Sequence, residues 1–171
     1  LPYGHQTIDD EDVASVAEAL RAELLTQGPK VQELEAAIAK QVGVKHAVSI
    51  ANGTAALHAA YFAAGVTSGD LIITTPITFA ATSNAALYLG ARPLYADVDP
   101  ATGLISPTSV EQLLQKYRDS TEGQVKAIVA VDYAGMPCDY DQLERLAGEY
   151  KVALLIDASH SLGASYRGRP A

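Results

Sequence analysis

The chain has 171 residues, with 12 lysines and arginines against 20 aspartates and glutamates, so its formal net charge is −8. This acidic balance disfavours a general nucleic-acid binder, which needs a basic face, and no apolar run approaches the roughly 20 residues that span a bilayer. Hydrophobic residues make up 49% of the chain, enough for one substantial core, and the single cysteine fits a reducing compartment. We therefore expect a cytoplasmic globular protein without nucleic-acid or membrane partners.

The first part of the chain predicts two amphipathic helices. Apolar residues spaced three and four apart over 8–24 form one helical stripe, with Asp9 and Asp10 as its caps. After a break at 26–29, a second stripe begins at Val31 and ends at Gly43.

From residue 47 onward, short apolar runs alternate with helical stretches. Such runs are typical of strands buried on both faces, and their alternation with helices indicates βαβ units. The predicted strands cover 47–51, 71–74, 93–96, 126–131 and 152–156. The predicted helices cover 54–64, 79–89, 109–117 and 141–150. The sequence therefore predicts an α/β fold, with a mostly parallel sheet, helices on both faces, and one domain over 1–171.

The last predicted strand raises the question of completeness. It ends at Asp157, and the chain stops 14 residues later. Five strands without a closing helix would leave one edge of the sheet unpaired. We expect the chain to be an incomplete domain of a longer protein.

Two strand-to-helix turns are candidates for ligand binding, because open α/β sheets bind ligands at the carboxyl ends of their strands. In the first turn, backbone N–H groups and the Thr54 hydroxyl could hold an anion, while Gly53 lets a phosphate approach closely. The alternative is an ordinary turn with Asn52 as the helix N-cap. In the second, Phe79 could place its ring over a flat ligand or could simply pack in the core.

Two further turns follow the last two predicted strands. The Gly- and Pro-containing segment 132–137 could redirect the chain, or form a pocket floor with Asp132 or Tyr133 pointing inward. Asp157 follows a buried strand, where a carboxylate is costly to desolvate unless donors or a cation meet it. It could hold a protonated heteroaromatic nitrogen, with His160 bonding another atom of the same ring. The alternative is a capping aspartate beside a satisfied histidine.

Other chemistries lack their signatures. There is no G-x-G-x-x-G after the first predicted strand, no G-x-x-x-x-G-K-[ST] and no G-x-S-x-G, which disfavours nicotinamide-dependent oxidoreductases, nucleotide-triphosphate loops and serine hydrolases. One cysteine and four scattered histidines give no zinc spacing, so no metal is expected.

Taken together, the segments resemble the large domain of fold-type-I pyridoxal phosphate (PLP) enzymes, and more closely the DegT/DnrJ/EryC1/StrS family of sugar aminotransferases. The resemblance rests on the order and spacing of several blocks along essentially the whole chain. These blocks are P-Y-G at 2–4, L-T-Q-G-P at 25–29, G-T-A-A-L at 53–57, T-P-I-T-F-A-A-T-S-N at 75–84, D-V-D at 97–99 and I-D-A-S-H-S-L-G-A at 156–164. Segment 131–137 lacks the histidine of the commoner family version and is similar to the subgroup on the pseudaminic acid route.

The resemblance implies roles for individual residues. Gly53, Thr54 and the backbone of Ala55 would hold the phosphate of pyridoxal 5'-phosphate. Phe79 would stack on the pyridine ring. The same resemblance implies that Asp157 would pair with the pyridine nitrogen, His160 would sit near the phenolic oxygen, and Tyr3, Leu25 and Thr26 would contact the nucleotide-sugar.

The family's Schiff-base lysine is missing from the expected context. All six lysines precede Asp157, whereas the family places that lysine downstream, so the catalytic lysine lies beyond residue 171 and this chain alone is expected to be inactive. The intact protein is expected to transaminate a UDP-linked 4-keto-6-deoxy sugar, with glutamate as donor, as a homodimer. Two alternatives remain open: a PLP-dependent sugar dehydratase, with histidine in place of the lysine, and a non-catalytic binding module on the same scaffold.

Overall fold

A computed structural model describes residues 6–171, which divide into two compact units, one ending at Ser49 and the other beginning at Ile50. Tyr3 lies outside the described residues. Within them, no helix is long and apolar enough to cross a membrane.

The first unit contains the two predicted helices, α1 (Asp10–Arg21) and α2 (Pro29–Val42). Asp9 caps α1, because its carboxylate accepts the Glu11 and Asp12 N–H groups while the Asp12 side chain accepts the Asp9 N–H. Proline opens α2, and Gly43 ends it in the left-handed region at φ 71°. Both predicted helices are confirmed, with the first shorter than its apolar stripe.

In the second unit helices and strands alternate until β4, and two short strands follow. The elements are, in chain order, α3 (Gly53–Ala63), β1 (Leu71–Thr74), α4 (Ala81–Tyr88), β2 (Arg92–Tyr95), α5 (Pro107–Lys116), β3 (Val125–Val131), α6 (Tyr140–Tyr150), β4 (Ala153–Asp157), β5 (Ser165–Tyr166) and β6 (Arg169–Pro170). The first four strands form a parallel sheet in the order β2-β1-β3-β4. The last two form a small antiparallel pair. This is the α/β fold that the alternating pattern predicts.

Helices cover both faces of the parallel sheet, because strand side chains alternate between two cores. On one face, Ile73 and Ile128 pack with residues of α5 and α6 such as Val110 and Leu143. On the opposite face, Ile72 of β1 and the alternate residues of β3 pack against α3 and α4, where Tyr61 is the largest buried side chain. The two cores fix the order of strands whose ends carry the candidate site.

The predicted strand at 47–51 is wrong. These residues form no strand, and Val48 is 76% exposed. Among the described residues, the one hydrogen bond in this stretch is from the Ser49 N–H to the Glu35 carboxylate, at 2.8 Å. An apolar run becomes a strand only when another strand pairs with it, and no described strand lies alongside this one. The other four predicted strands are confirmed within one residue at each end.

Candidate functional site

The carboxyl ends of the parallel strands gather three turns at one edge of the sheet. These turns follow β1, β3 and β4, and they carry Phe79, Asp132 and the 157–160 segment respectively. The start of α3, with Gly53, lies beside the last of them. All of these residues belong to the second unit. Polar side chains and turns with accessible backbone therefore lie together at this edge of the sheet.

Asp157 is the last residue of β4, and its two carboxylate oxygens have different surroundings. Oδ1 accepts two hydrogen bonds from Ser159, from the hydroxyl at 2.6 Å and from the backbone N–H at 3.2 Å. Oδ2 accepts one long contact from the Thr82 hydroxyl, at 3.3 Å. The side chain is half-buried. Oδ2 therefore retains capacity to accept a stronger donor.

Thr82 connects Asp157 to the turn that carries Phe79. Its backbone N–H donates to the Phe79 carbonyl at 3.1 Å, and its hydroxyl lies 2.7 Å from that of Thr78. A hydroxyl has one proton, so if Thr82 donates to Asp157, Thr78 must be the donor in the second contact. Thr82 is fully buried, and the Tyr61 hydroxyl donates to its carbonyl at 2.7 Å. The buried α4 start thus has a fixed position relative to β4.

Phe79 lies just before α4, with 78% of its surface exposed. Core packing, the alternative considered for this ring, therefore does not account for it. The predicted helix at 79–89 begins two residues later than expected, at Ala81, so Phe79 belongs to the turn. An exposed aromatic ring on a turn held by buried hydrogen bonds is suited to stacking on a planar ligand.

The start of α3 combines a cap with open backbone. Asn52 accepts the Ala55 N–H at 2.9 Å, which confirms the capping interaction. Among the described residues, the Gly53 and Thr54 N–H groups have no hydrogen-bond partner. Apart from the neighbouring residues and the backbone of α3, a Cβ built on Gly53 would meet only the Ser159 hydroxyl, at 3.8 Å, in the part of the chain that the structure describes. An anion can approach this turn through Gly53 and Thr54, whereas the Ala55 N–H is available only if the Asn52 side chain moves.

Ser159 joins the two parts of the site, since it bonds Asp157 and lies beside Gly53. His160 is the next residue and is exposed. Its backbone carbonyl packs so close to Gly135 that a Cβ there would come within 2.9 Å of the oxygen. Gly135 also has φ 84°, so this crossing of the two turns requires glycine.

Asp132 is a buried anchor rather than an open pocket wall. It is 1% exposed, and its carboxylate accepts the Cys138 N–H at 3.0 Å, the Tyr140 hydroxyl at 2.5 Å and the Ser161 hydroxyl at 2.7 Å. Three donors satisfy a carboxylate that has no ion-pair partner in the described chain. The interpretation of Asp132 as a residue pointing into a pocket is therefore wrong. Tyr133, in contrast, is 44% exposed and lies against Gly103.

Burial and neighbouring carboxylates keep two side chains near the site uncharged. Burial, reinforced by the Asp157 charge, raises the pKa of the Tyr61 phenol. Burial first, and then the Asp132 carboxylate, raises the pKa of the Cys138 thiol to about 12. Within the described residues, no cluster of histidine, cysteine or carboxylate side chains could hold a metal.

The nucleotide-sugar residues predicted in the first unit lie on the bend between α1 and α2. Leu25 and Thr26 are both exposed there. Gly28 shapes the bend, because a Cβ at that position would lie 2.2 Å from the Leu24 carbonyl oxygen.

Sequence reasoning assigned no role to Thr82, Ser159 or Ser161, which turn out to bond the two aspartates of the site. The Asp-x-Ser spacing of 157 and 159 was visible, because a serine two residues after an aspartate can donate back to its carboxylate. The Thr82 and Ser161 contacts span 75 and 29 residues, so no local pattern signals them.

A doubly covered parallel sheet, an acidic residue at the carboxyl end of its strand, an exposed ring and an open glycine turn define a large domain of the fold-type-I PLP class. The sequence profile of the DegT/DnrJ/EryC1/StrS aminotransferase family matches residues 6–171. The chain belongs to this family.

Individual relatives agree with that assignment. The chain is 41% identical over 169 residues to a Campylobacter jejuni UDP-4-amino-4,6-dideoxy-N-acetyl-beta-L-altrosamine transaminase, covering 99% of the chain and 43% of the relative. It superimposes with a TM-score of 0.89 and 34% identity on Helicobacter pylori PseC, an aminotransferase involved in pseudoaminic acid biosynthesis, over 99% of the chain and 44% of that protein. A Streptococcus pneumoniae protein in its PLP form matches with a TM-score of 0.88 and 26% identity, over 100% and 46%.

The comparisons confirm several predictions. The family, the α/β fold of the fold-type-I class and pyridoxal phosphate as the family's cofactor are all confirmed. The chain spans less than half the length of the relatives it matches. The open turn at Gly53, the exposed Phe79 ring and the spare acceptor capacity of Asp157 fit a phosphorylated planar cofactor with a protonated ring nitrogen.

Proposed function

We propose that the intact protein is a PLP-dependent transaminase that transfers an amino group to a UDP-linked 4-keto-6-deoxy sugar, with glutamate as the donor. The observation that carries the proposal is the Asp157 carboxylate at the carboxyl end of β4, with one oxygen held by Ser159 and the other still able to accept a strong donor. Pyridoxal phosphate, when bound, supplies an electron sink for negative charge that develops on the substrate carbon.

Each residue has a defined task in this proposal. Asp157 holds the proton on the pyridine nitrogen, because an adjacent negative charge favours the charged ring. Gly53 and Thr54 bind the phosphate through free N–H groups and a hydroxyl. Phe79 orients the ring by stacking, and His160 bonds the phenolic oxygen. Ala55 assists at the phosphate once Asn52 releases its N–H.

The substrate assignment draws on the relatives and on the turn at 25–29. The Campylobacter jejuni relative is named for a UDP-linked amino sugar, and PseC for the pseudoaminic acid route. We assign Tyr3, Leu25 and Thr26 to the nucleotide-sugar. The whole of residues 1–171 belongs to the PLP-binding large domain in this proposal, and the intact protein acts as a cytoplasmic homodimer on small molecules rather than nucleic acid.

The chain without its remaining sequence is proposed to be inactive. The three lysines of the second unit support this: Lys116 ends α5, Lys126 is near the start of β3, and Lys151 caps the C-terminal end of α6, two residues before β4. These positions lie at the amino ends of the strands, away from Asp157. The Schiff-base lysine is therefore assigned to the segment after residue 171.

The Asp157→Asn variant of the intact protein tests the proposal. Asparagine keeps the shape of the side chain but loses the charge, so we expect transaminase turnover to fall on the order of a hundredfold or more with little change in thermal stability. Asp119→Asn, an exposed aspartate with no side-chain partner among the described residues, is the matched control and should keep full turnover. Near-normal turnover of Asp157→Asn would remove the assigned role.

Two alternatives give different results in the same preparation. A PLP-dependent sugar dehydratase would have histidine at the lysine position, so the residues that follow Ala171 in the intact protein decide between dehydration and transamination. A non-catalytic module would bind no cofactor covalently. Mixing the intact protein with PLP should therefore give an absorbance band that borohydride removes, and absence of that band would contradict the transaminase role.

A further inference from the structure

The two carboxylate oxygens of Asp157 differ in the hydrogen bonds that they accept. Ser159 donates twice to Oδ1, and its hydroxyl bond of 2.6 Å is short, in the range of hydrogen bonds to a charged oxygen. The contact on Oδ2, from Thr82, is 0.7 Å longer than this bond, by subtraction of 2.6 from 3.3 Å. The carboxylate therefore has one saturated oxygen and one that still has an acceptor site.

Ser159 also occupies a particular place between two parts of the site. Apart from the neighbouring residues and the backbone of α3, its hydroxyl oxygen is the only atom of the described residues within 4 Å of a Cβ built on Gly53. Gly53 opens α3, where the free N–H groups are, and Asp157 ends β4. A single serine hydroxyl thus lies at the junction of the candidate phosphate end and the candidate ring end.

We propose that Ser159 is a positioning residue for Asp157: its hydroxyl fixes the rotation of the carboxylate, so that Oδ2 is the oxygen presented to the ring nitrogen of the cofactor. The inference rests on the proposed function. A carboxylate free to rotate about its Cβ–Cγ bond would offer either oxygen, and the ordering would then have to occur during cofactor binding. The prior bond to Ser159 removes that cost and gives the ring nitrogen a preformed partner.

Exposure of Ser159 makes the inference testable with little damage to the fold. Ser159→Ala removes the hydroxyl bond but keeps the backbone bond to Oδ1, and Ser159→Thr retains a hydroxyl at the same position. Ser165→Ala is the matched control, because Ser165 is also exposed and its side chain makes no hydrogen bond within the described chain. Asp157→Asn is included to report on the proposed function separately.

The experiment measures the dissociation constant of PLP for the intact protein and the protonation of its ring nitrogen, by NMR with 15N-labelled PLP. We expect Ser159→Ala to raise the dissociation constant about threefold to tenfold, the size of one typical net hydrogen-bond contribution, and to lower the protonated fraction of the ring nitrogen. Ser159→Thr should restore both values, and Ser165→Ala should match the unaltered protein.

Three results would overturn the inference. Ser159→Ala could bind PLP like the unaltered protein, or Ser159→Thr could be as weak as Ser159→Ala, which would exclude the hydroxyl as the cause. Ser159→Ala could also lower only the melting temperature, which would leave Ser159 a turn-forming residue. In each case a loss of ring protonation in Asp157→Asn would still support the proposed function. A normal ring nitrogen in Asp157→Asn would instead overturn the proposed function and this inference together.

Discussion

The Asp132 anchor gives a quantitative prediction about stability. Asp132→Asn keeps the size of the side chain but replaces one acceptor oxygen with an NH2 group. The carboxylate currently accepts hydroxyls of Tyr140 and Ser161 on Oδ2, and the Cys138 N–H on Oδ1. The asparagine can turn its oxygen towards the two hydroxyls or towards the Cys138 N–H, because a hydroxyl can also accept from an NH2 group.

The cost follows because each orientation leaves a donor without its acceptor. With the oxygen towards the hydroxyls, the NH2 group and the Cys138 N–H face each other as two donors. With the NH2 group towards the hydroxyls, the Tyr140 hydroxyl loses the acceptor for its own proton. Leaving a buried donor unsatisfied costs about 1–3 kcal/mol, and the lost bond was to a charged group. We expect Asp132→Asn to lower the free energy of unfolding by about 2–3 kcal/mol.

Urea denaturation followed by circular dichroism measures this change, with amide hydrogen exchange of the Cys138 N–H as a local readout. That amide should exchange faster in Asp132→Asn than in the unaltered protein. The control Asp119→Asn changes an exposed aspartate and should stay within about 0.5 kcal/mol. A stability of Asp132→Asn within that same margin would refute the reasoning that three donors depend on this carboxylate.

Two further predictions concern Cys138 and the glycines. Because the pKa of the buried Cys138 thiol is raised to about 12, above the roughly 8.5 of an unfolded cysteine, its contribution to stability is fully present below pH 8.5 and is lost as the pH rises towards 12. Cys138→Ala should flatten that alkaline decline in urea titrations, and an unchanged slope would contradict the assignment. Gly123→Ala should destabilise the protein by more than 1 kcal/mol, since φ is 134° and the new Cβ would lie 2.2 Å from the Gly69 carbonyl oxygen. Gly148→Ala, in the last turn of α6 with open space around it, should stabilise the protein by about 0.4–1 kcal/mol, and thermal melts that show equal effects of the two substitutions would refute this contrast.

Local patterns predict most of the fold because they reflect interactions between residues close in sequence. Asp9 caps α1 through residues two and three positions away, and Gly43 ends α2 by its own conformation. The strands β1 and β3 are mostly apolar because both of their faces are buried. The segment at 47–51 has the same composition without a described neighbour, and composition alone does not distinguish these two cases.

The positions of the candidate site residues could be predicted to a similar depth, whereas their roles towards a cofactor stay predictions. Asp157 and Phe79 stood out because a carboxylate after an apolar strand and an aromatic residue in a turn are unusual. The function of Asp132 was not readable, since its three donors come from different elements and only the folded chain brings them together. In the sequence, Asp132 and Asp157 both directly follow a strand of apolar residues. In the structure, the Asp132 carboxylate is buried and fully hydrogen-bonded, whereas the Asp157 carboxylate can still accept a donor.

These two aspartates are directly joined through the main chain. The Asp132 N–H donates to the Asp157 carbonyl at 3.1 Å, which continues the ladder between β3 and β4 by one more step. A change that weakens the hydrogen bonds of the Asp132 carboxylate would therefore also displace the backbone of Asp157. Heat inactivation and local unfolding at the ends of β3 and β4 should consequently proceed together. Directed evolution for thermostability would therefore improve stability and the positioning of Asp157 through the same substitutions around residues 132 and 157.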